Sequence, residues 1–179
     1  ETQMDYSIQL KKVIDLDFED WNGIKVSNNE QQTLPGGYGW GIPTGEKTDE
    51  TAYIEAVRPA DRENTALHLY SKALTPDSES YRHMSISKTG LSASDTGDAF
   101  VIQASMMTDN ADAVTVILGI YKNSSGNLVY PNLVELGANR KINIFGAVTQ
   151  EFELGQWYRI HVVVDKSSKL VTGYIDGKQ

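Results

Sequence analysis

The chain has 179 residues, 40% apolar and 22% charged, with a net charge of −8 and no cysteine. Such values fit a globular domain with a sizeable core, and they exclude disulfides, thiolate zinc sites and cysteine nucleophiles. The acidic balance, with basic pairs such as Lys11-Lys12 and Arg140-Lys141 scattered, argues against nucleic acid and anionic membrane surfaces as partners.

No apolar run approaches the roughly 20 residues of a membrane helix. No signal peptide is visible, and a start at Glu1 is expected of a processed protein or an excised domain. An abundance of Asn, Ser, Thr and Gly fits a secreted bacterial product.

Period-two alternation dominates the chain. In "VIDLDFED" (13–20), Ile14, Leu16 and Phe18 fall on one face and Val13, Asp15, Asp17 and Glu19 on the other. The next stretch, "LPGGYGWGIPTG" (34–45), sets Tyr38 and Trp40 among glycines and prolines. The segments "AYIEAVR", "ALHLYSKAL", "YRHMSIS", "AFVIQASMMT", "AVTVILGIY", "KINIFGAV", "WYRIHVVVD" and "KLVTGYIDG" also read as strands. In "WYRIHVVVD", Tyr158, Ile160, Val162 and Val164 share a face. Turn chemistry separates the strands, as in "TPDSES", "KNSSGN" and "DKSSK".

No segment carries a 3.6-residue apolar period over helix length. About nine or ten short strands with such turns predict an all-β, antiparallel sandwich or barrel, a single domain over 1–179. Gln156 to Ile175 is the best single unit, two alternating strands around "DKSSK". Asp176-Gly177 looks like a turn with no return strand, so either the natural chain continues or another element covers that edge.

From Phe152 to Gln179, "FELGQWYRIHVVVDKSSKLVTGYIDGKQ" resembles the concanavalin A-like lectin/glucanase superfamily, in particular its laminin-G-like members. "VIDLDFEDW" also resembles the first strand of such sandwiches and of jelly-roll carbohydrate-binding modules. The resemblance implies a two-sheet jelly roll, often appended to secreted polysaccharide-degrading enzymes or surface proteins. It informs the fold more than the activity, because one sandwich hosts many functions.

The alternating acids Asp15, Asp17 and Glu19 would stand about 6.5–7 Å apart on one strand face. They are similar to the E-x-D-x-E strand of laminarinase-type hydrolases, with Asp15 in place of the first Glu and the motif at the N-terminus. A retaining glycosidase needs two carboxyls about 5–5.5 Å apart, whereas a solvated acidic face needs nothing more. Asp17, Glu19, Asp20 and Asn22 also offer hard oxygens to calcium. The jelly-roll resemblance implies Glu19 as a ligand of a structural calcium, and Asp20 beside it is the further candidate ligand among these acids.

Tyr38 and Trp40 are the leading binding residues, since sugar rings stack apolar C–H faces on aromatic rings. The alternative is a Gly-rich crossover whose Trp40 plugs one end of the sandwich. Tyr121 and Tyr130 flank the "KNSSGNLV" turn and could add a rim contact. Trp21 and Trp157 are expected in the core. The histidines, His68, His83 and His161, lack zinc-ligand spacing. Lyases of this superfamily use a His/Tyr pair, which would be Tyr81 and His83 here, with Arg82 between them; their better-known signatures are absent. The leading expectation is a non-catalytic carbohydrate-binding module of a larger secreted protein, its partners a polysaccharide and neighbouring modules. The alternatives are a polysaccharide lyase or glycoside hydrolase and a protein-interaction or adhesion module.

Overall fold

Alternation becomes antiparallel pairing wherever one face of a strand can be buried, and that rule accounts for most of the described strands. The computed structural model describes residues 14, 16–27, 34–41, 52–71, 85–88, 97–119 and 121–176. The chain divides into two compact units, Glu1–Asp95 and Thr96–Gln179. Among the described residues the only helical elements are two 3-10 turns, and the protein is all-β.

The first unit begins with a 3-10 turn, Glu19–Trp21, followed by β1 (Lys25–Ser27). A second 3-10 turn, Pro35–Gly37, leads into β2 (Tyr38–Gly41). Then come β3 (Ala52–Val57), β4 (Ala66–Ser71) and β5 (Ser85–Lys88). One sheet has the order β1-β3-β4, and β2 pairs with β5 in a ribbon. Trp21, Val26, Leu34 and Ala56 form the buried core, with Leu16, Phe18, Ile24, Tyr38, Leu67 and Ile86 packed around it.

The strand expected over "VIDLDFED" does not form among its described residues 16–20. Phe18 takes a left-handed φ of 64°, which cannot continue a strand. Just before it, the Asp17 carboxylate accepts the Glu19 backbone N–H at 3.1 Å, a local bond that competes with ladder pairing. The chain then turns so that Phe18, Trp21 and Ile24, spaced by three, reach one core. That is the period of a 3-10 turn, not of a strand.

In the second unit the strands are β6 (Ala99–Met106), β7 (Thr115–Leu118), β8 (Tyr121–Lys122), β9 (Leu128–Val129) and β10 (Asn132–Leu136). After them come β11 (Lys141–Ile144), β12 (Ala147–Glu151), β13 (Tyr158–Asp165) and β14 (Leu170–Ile175). A four-stranded sheet, β12-β11-β10-β7, and a three-stranded sheet, β14-β13-β6, contribute to one core. The arrangement is sandwich-like. Val134, Leu136 and Ile142 come from one sheet, and Ile160 and Val162 from the other; all five are fully buried.

As the alternation predicts, Tyr158, Ile160, Val162 and Val164 all face this core. The Tyr158 phenol, though buried, accepts the Glu153 backbone N–H at 2.8 Å. Gly173 on β14 is required by packing: a Cβ there would lie 2.5 Å from Ile144 Cδ1.

"KINIFGAV" is not one strand. It folds back at Phe145-Gly146, whose φ values of 50° and 81° are those of a type I′ hairpin turn. The glycine fits that turn; the phenylalanine conceals it in the sequence, since Asn or Asp is usual there.

The β13–β14 hairpin forms around "DKSSK". Asp165 accepts from the Ser167 N–H (2.9 Å), the Ser167 hydroxyl (2.6 Å) and the Ser168 N–H (3.2 Å). The serine hydrogen bonds, led by Ser167, hold its carboxyl down at about 2. A carboxyl depressed on folding contributes stability above its unfolded pKa and loses it as pH falls through the folded value. Asp165→Asn should therefore lower the urea midpoint at neutral pH, with the difference shrinking below pH 4 and vanishing only below about pH 2. A constant difference across that range would reject the charge as its cause.

Candidate functional site

The described part of the glycine-rich stretch, residues 34–41, forms a tight turn and a short strand. Gly36 takes a φ of 72°, which lets the chain reverse between Leu34 and Tyr38. Tyr38 is then half-buried, its ring edge-on to Trp21 at 5.5 Å and covered by Lys88 Nζ at 4.7 Å. Lys88 Nζ also donates to the Gly36 carbonyl. The ring seals the rim of the first core, and a cation lies over its face. Trp40 sits opposite Ile86 in the β2–β5 ribbon. Only its backbone is described, as for Tyr121. Tyr130, just after β9, is exposed.

Glu19 has both carboxylate oxygens engaged. Oε1 accepts the Thr65 N–H at 2.6 Å, and Oε2 accepts the Thr65 hydroxyl at 3.0 Å and Arg58 Nη2 at 3.1 Å. The Thr65 backbone bond is the main cause of its lowered pKa, with Arg58 adding to it. Glu19 thus ties the first turn to the segment before β4, and a cation bound there would compete with three protein donors. Asp20 is exposed beside it. Among the described residues no three His, Asp or Glu side chains form a metal-holding group. Asp15, Tyr81, Arg82 and His83 lie outside the described residues.

A different set of side chains converges on the outer face of the β1-β3-β4 sheet. Val26, Ile54 and Ala56 point to the core, so alternation sends Lys25, Tyr53 and Glu55 outward. Register places Tyr53 opposite Tyr70 and Glu55 opposite both His68 and Lys25. The Tyr53 and Tyr70 rings stack at 4.8 Å with 21° between their planes. Lys25 Nζ lies 3.9 Å from the Tyr53 ring centre. The outermost ring, Tyr70 on β4, is 37% exposed.

Glu55 joins the polar half of this face. Its Oε1 meets His68 Nδ1 at 3.0 Å, and its Oε2 lies 4.0 Å from Lys25 Nζ. The imidazole also stands edge-on to Tyr53 at 5.8 Å. Burial, with the Glu55 charge second, pushes the Tyr53 phenol up, so it stays an O–H donor. Rings, phenols, carboxylate, imidazole and ammonium share one surface, so a ligand can stack on it and be hydrogen-bonded from the side.

The sequence shows half of this site. "AYIEAVR" places Tyr53 with Glu55 and "ALHLYS" places His68 with Tyr70, but only pairing register brings the two pairs together. No family model matches this chain, nor does any curated protein or solved structure.

Proposed function

We propose that the protein is a non-catalytic carbohydrate-binding module of a larger secreted bacterial polysaccharide-acting or surface protein, its glycan laid on the outer face of the β1-β3-β4 sheet. The observation that carries this reading is the Tyr53–Tyr70 stack rimmed by Glu55, His68 and Lys25. A sugar ring has an apolar face for Tyr70 and hydroxyls for the rim, and a strand-borne platform holds both groups rigid. The concanavalin A-like resemblance at 152–179 agrees with it. A single open site of this kind binds weakly, and neighbouring modules would raise the avidity.

Calorimetric titration with neutral oligosaccharides chosen from a glycan array tests the reading. Tyr70→Ala should weaken binding about tenfold, near 1.4 kcal/mol, by removing the exposed ring. Tyr70 is on the sheet surface, so the variant keeps its fold, verified by circular dichroism. Unchanged affinity in Tyr70→Ala would reject this face. Release of sugar products would replace the reading with the enzyme alternative, and silence on every glycan would favour adhesion.

A further inference from the structure

The second unit carries another polar face, on the outside of the β14-β13-β6 sheet, and it differs in charge. Because Ile160 and Val162 point inward, Arg159 and His161 point outward. Register places His161 between Gln103 on β6 and Tyr174 on β14, with Arg159 opposite Ser105 one step along. Gln103 Nε2 meets His161 Nδ1 at 3.2 Å, and the Tyr174 ring stands edge-on to the imidazole at 5.9 Å. The next row is apolar, with Val101 beside Val163, both half-exposed.

Arg159 is the informative residue. Its backbone N–H donates to Asp176 Oδ1 at 3.0 Å, yet among the described residues no carboxylate is paired with its exposed guanidinium. Two other described arginines do carry a carboxylate: Arg58 meets Glu19 at 3.1 Å and Arg140 meets Glu153 at 2.9 Å. A five-donor fork with no carboxylate partner among the described residues, next to an amide, an imidazole and a phenol, suits a planar carboxylate. The neighbouring tyrosine ring and valines suit the C–H face of a sugar better than a polar peptide backbone.

The geometry points to a second binding site here, for a uronate unit of an acidic polysaccharide. Arg159 takes the carboxylate, Gln103 and His161 take ring hydroxyls, and Tyr174 with Val163 lies under the ring. This site is independent of the neutral-sugar face on the first unit.

The test is NMR titration of the full 179-residue chain with trigalacturonate, cellotriose and triglutamate as separate probes. Trigalacturonate should shift the Arg159, His161 and Tyr174 resonances saturably, whereas cellotriose and triglutamate leave them in place. Arg159→Ala should weaken trigalacturonate about tenfold, as loss of a charge-assisted pair does, and Arg159→Lys by less. Tyr70→Ala should not change it, so failure of the neutral-sugar face and failure of this one are separable. The proposal is overturned if trigalacturonate causes no saturable shift, if either other probe shifts these residues equally, or if Arg159→Ala binds as the parent chain does.

Discussion

Replacing Trp21 by alanine should cost the first unit about 3–5 kcal/mol, the range for truncating a large buried aromatic. Trp21 is 3% exposed and central to a small core, edge-on to both Phe18 and Tyr38 at 5.5 Å. The 3-10 turn that carries it has no long ladder to hold it, so the indole anchors the turn. Losing it empties a space that Val26, Leu34 and Ala56 cannot fill without moving. Urea unfolding followed by far-ultraviolet circular dichroism, with amide exchange at Val26, Ile54 and Ala56, measures the loss. Trp21→Phe should recover part of it. A loss below about 1 kcal/mol would show that the turn is held by its backbone and by Glu19 rather than by the ring.

Ile160→Ala should destabilise the second unit by about 2–5 kcal/mol, and Ile160→Val by about 0.5–1.5 kcal/mol. Ile160 is fully buried on the central strand of its sheet, between Ala104 and Ile175. A central strand paired on both sides cannot collapse inward to close a cavity, which puts the expected value in the upper part of that range. Amide exchange along Tyr158–Asp165 should rise together with the shift in urea midpoint. Equal effects of Ala and Val at this position would contradict the tight packing on which the estimate rests.

What the sequence discloses depends on whether physical information is local. The inward face of β13 is legible because Tyr158, Ile160, Val162 and Val164 keep strict alternation and a core lies on one side only. The β13–β14 hairpin is legible because Asp165 and two serines write their own turn. Residues 16–21 mislead, since Leu16 and Phe18 alternate with acids just as a strand would while Phe18 turns left-handed. The break at Phe145-Gly146 is hidden by a residue that turns rarely use, and the strand at Asn132–Leu136 has too short an alternating run to stand out.

The candidate faces were harder to see for another reason. Tyr38 attracts attention in the sequence because it stands among glycines, yet one of them, Gly36, serves the reversal that packs its ring against Trp21. Tyr53, Tyr70, His68 and Glu55 look like ordinary strand residues until β3 and β4 are aligned. Cross-strand neighbours are a property of pairing, and pairing is decided by contacts distant in sequence.

One missing side chain has a wider role than the methyl group it lacks. If β14 slid by a single position against β13, Thr172 or Tyr174 would be driven into the gap that Gly173 leaves for Ile144, where even a methyl carbon collides. The vacancy at 173 therefore works as an alignment notch between the layers. By fixing how β14 seats, it also fixes which ring comes to rest beside His161 on the opposite side.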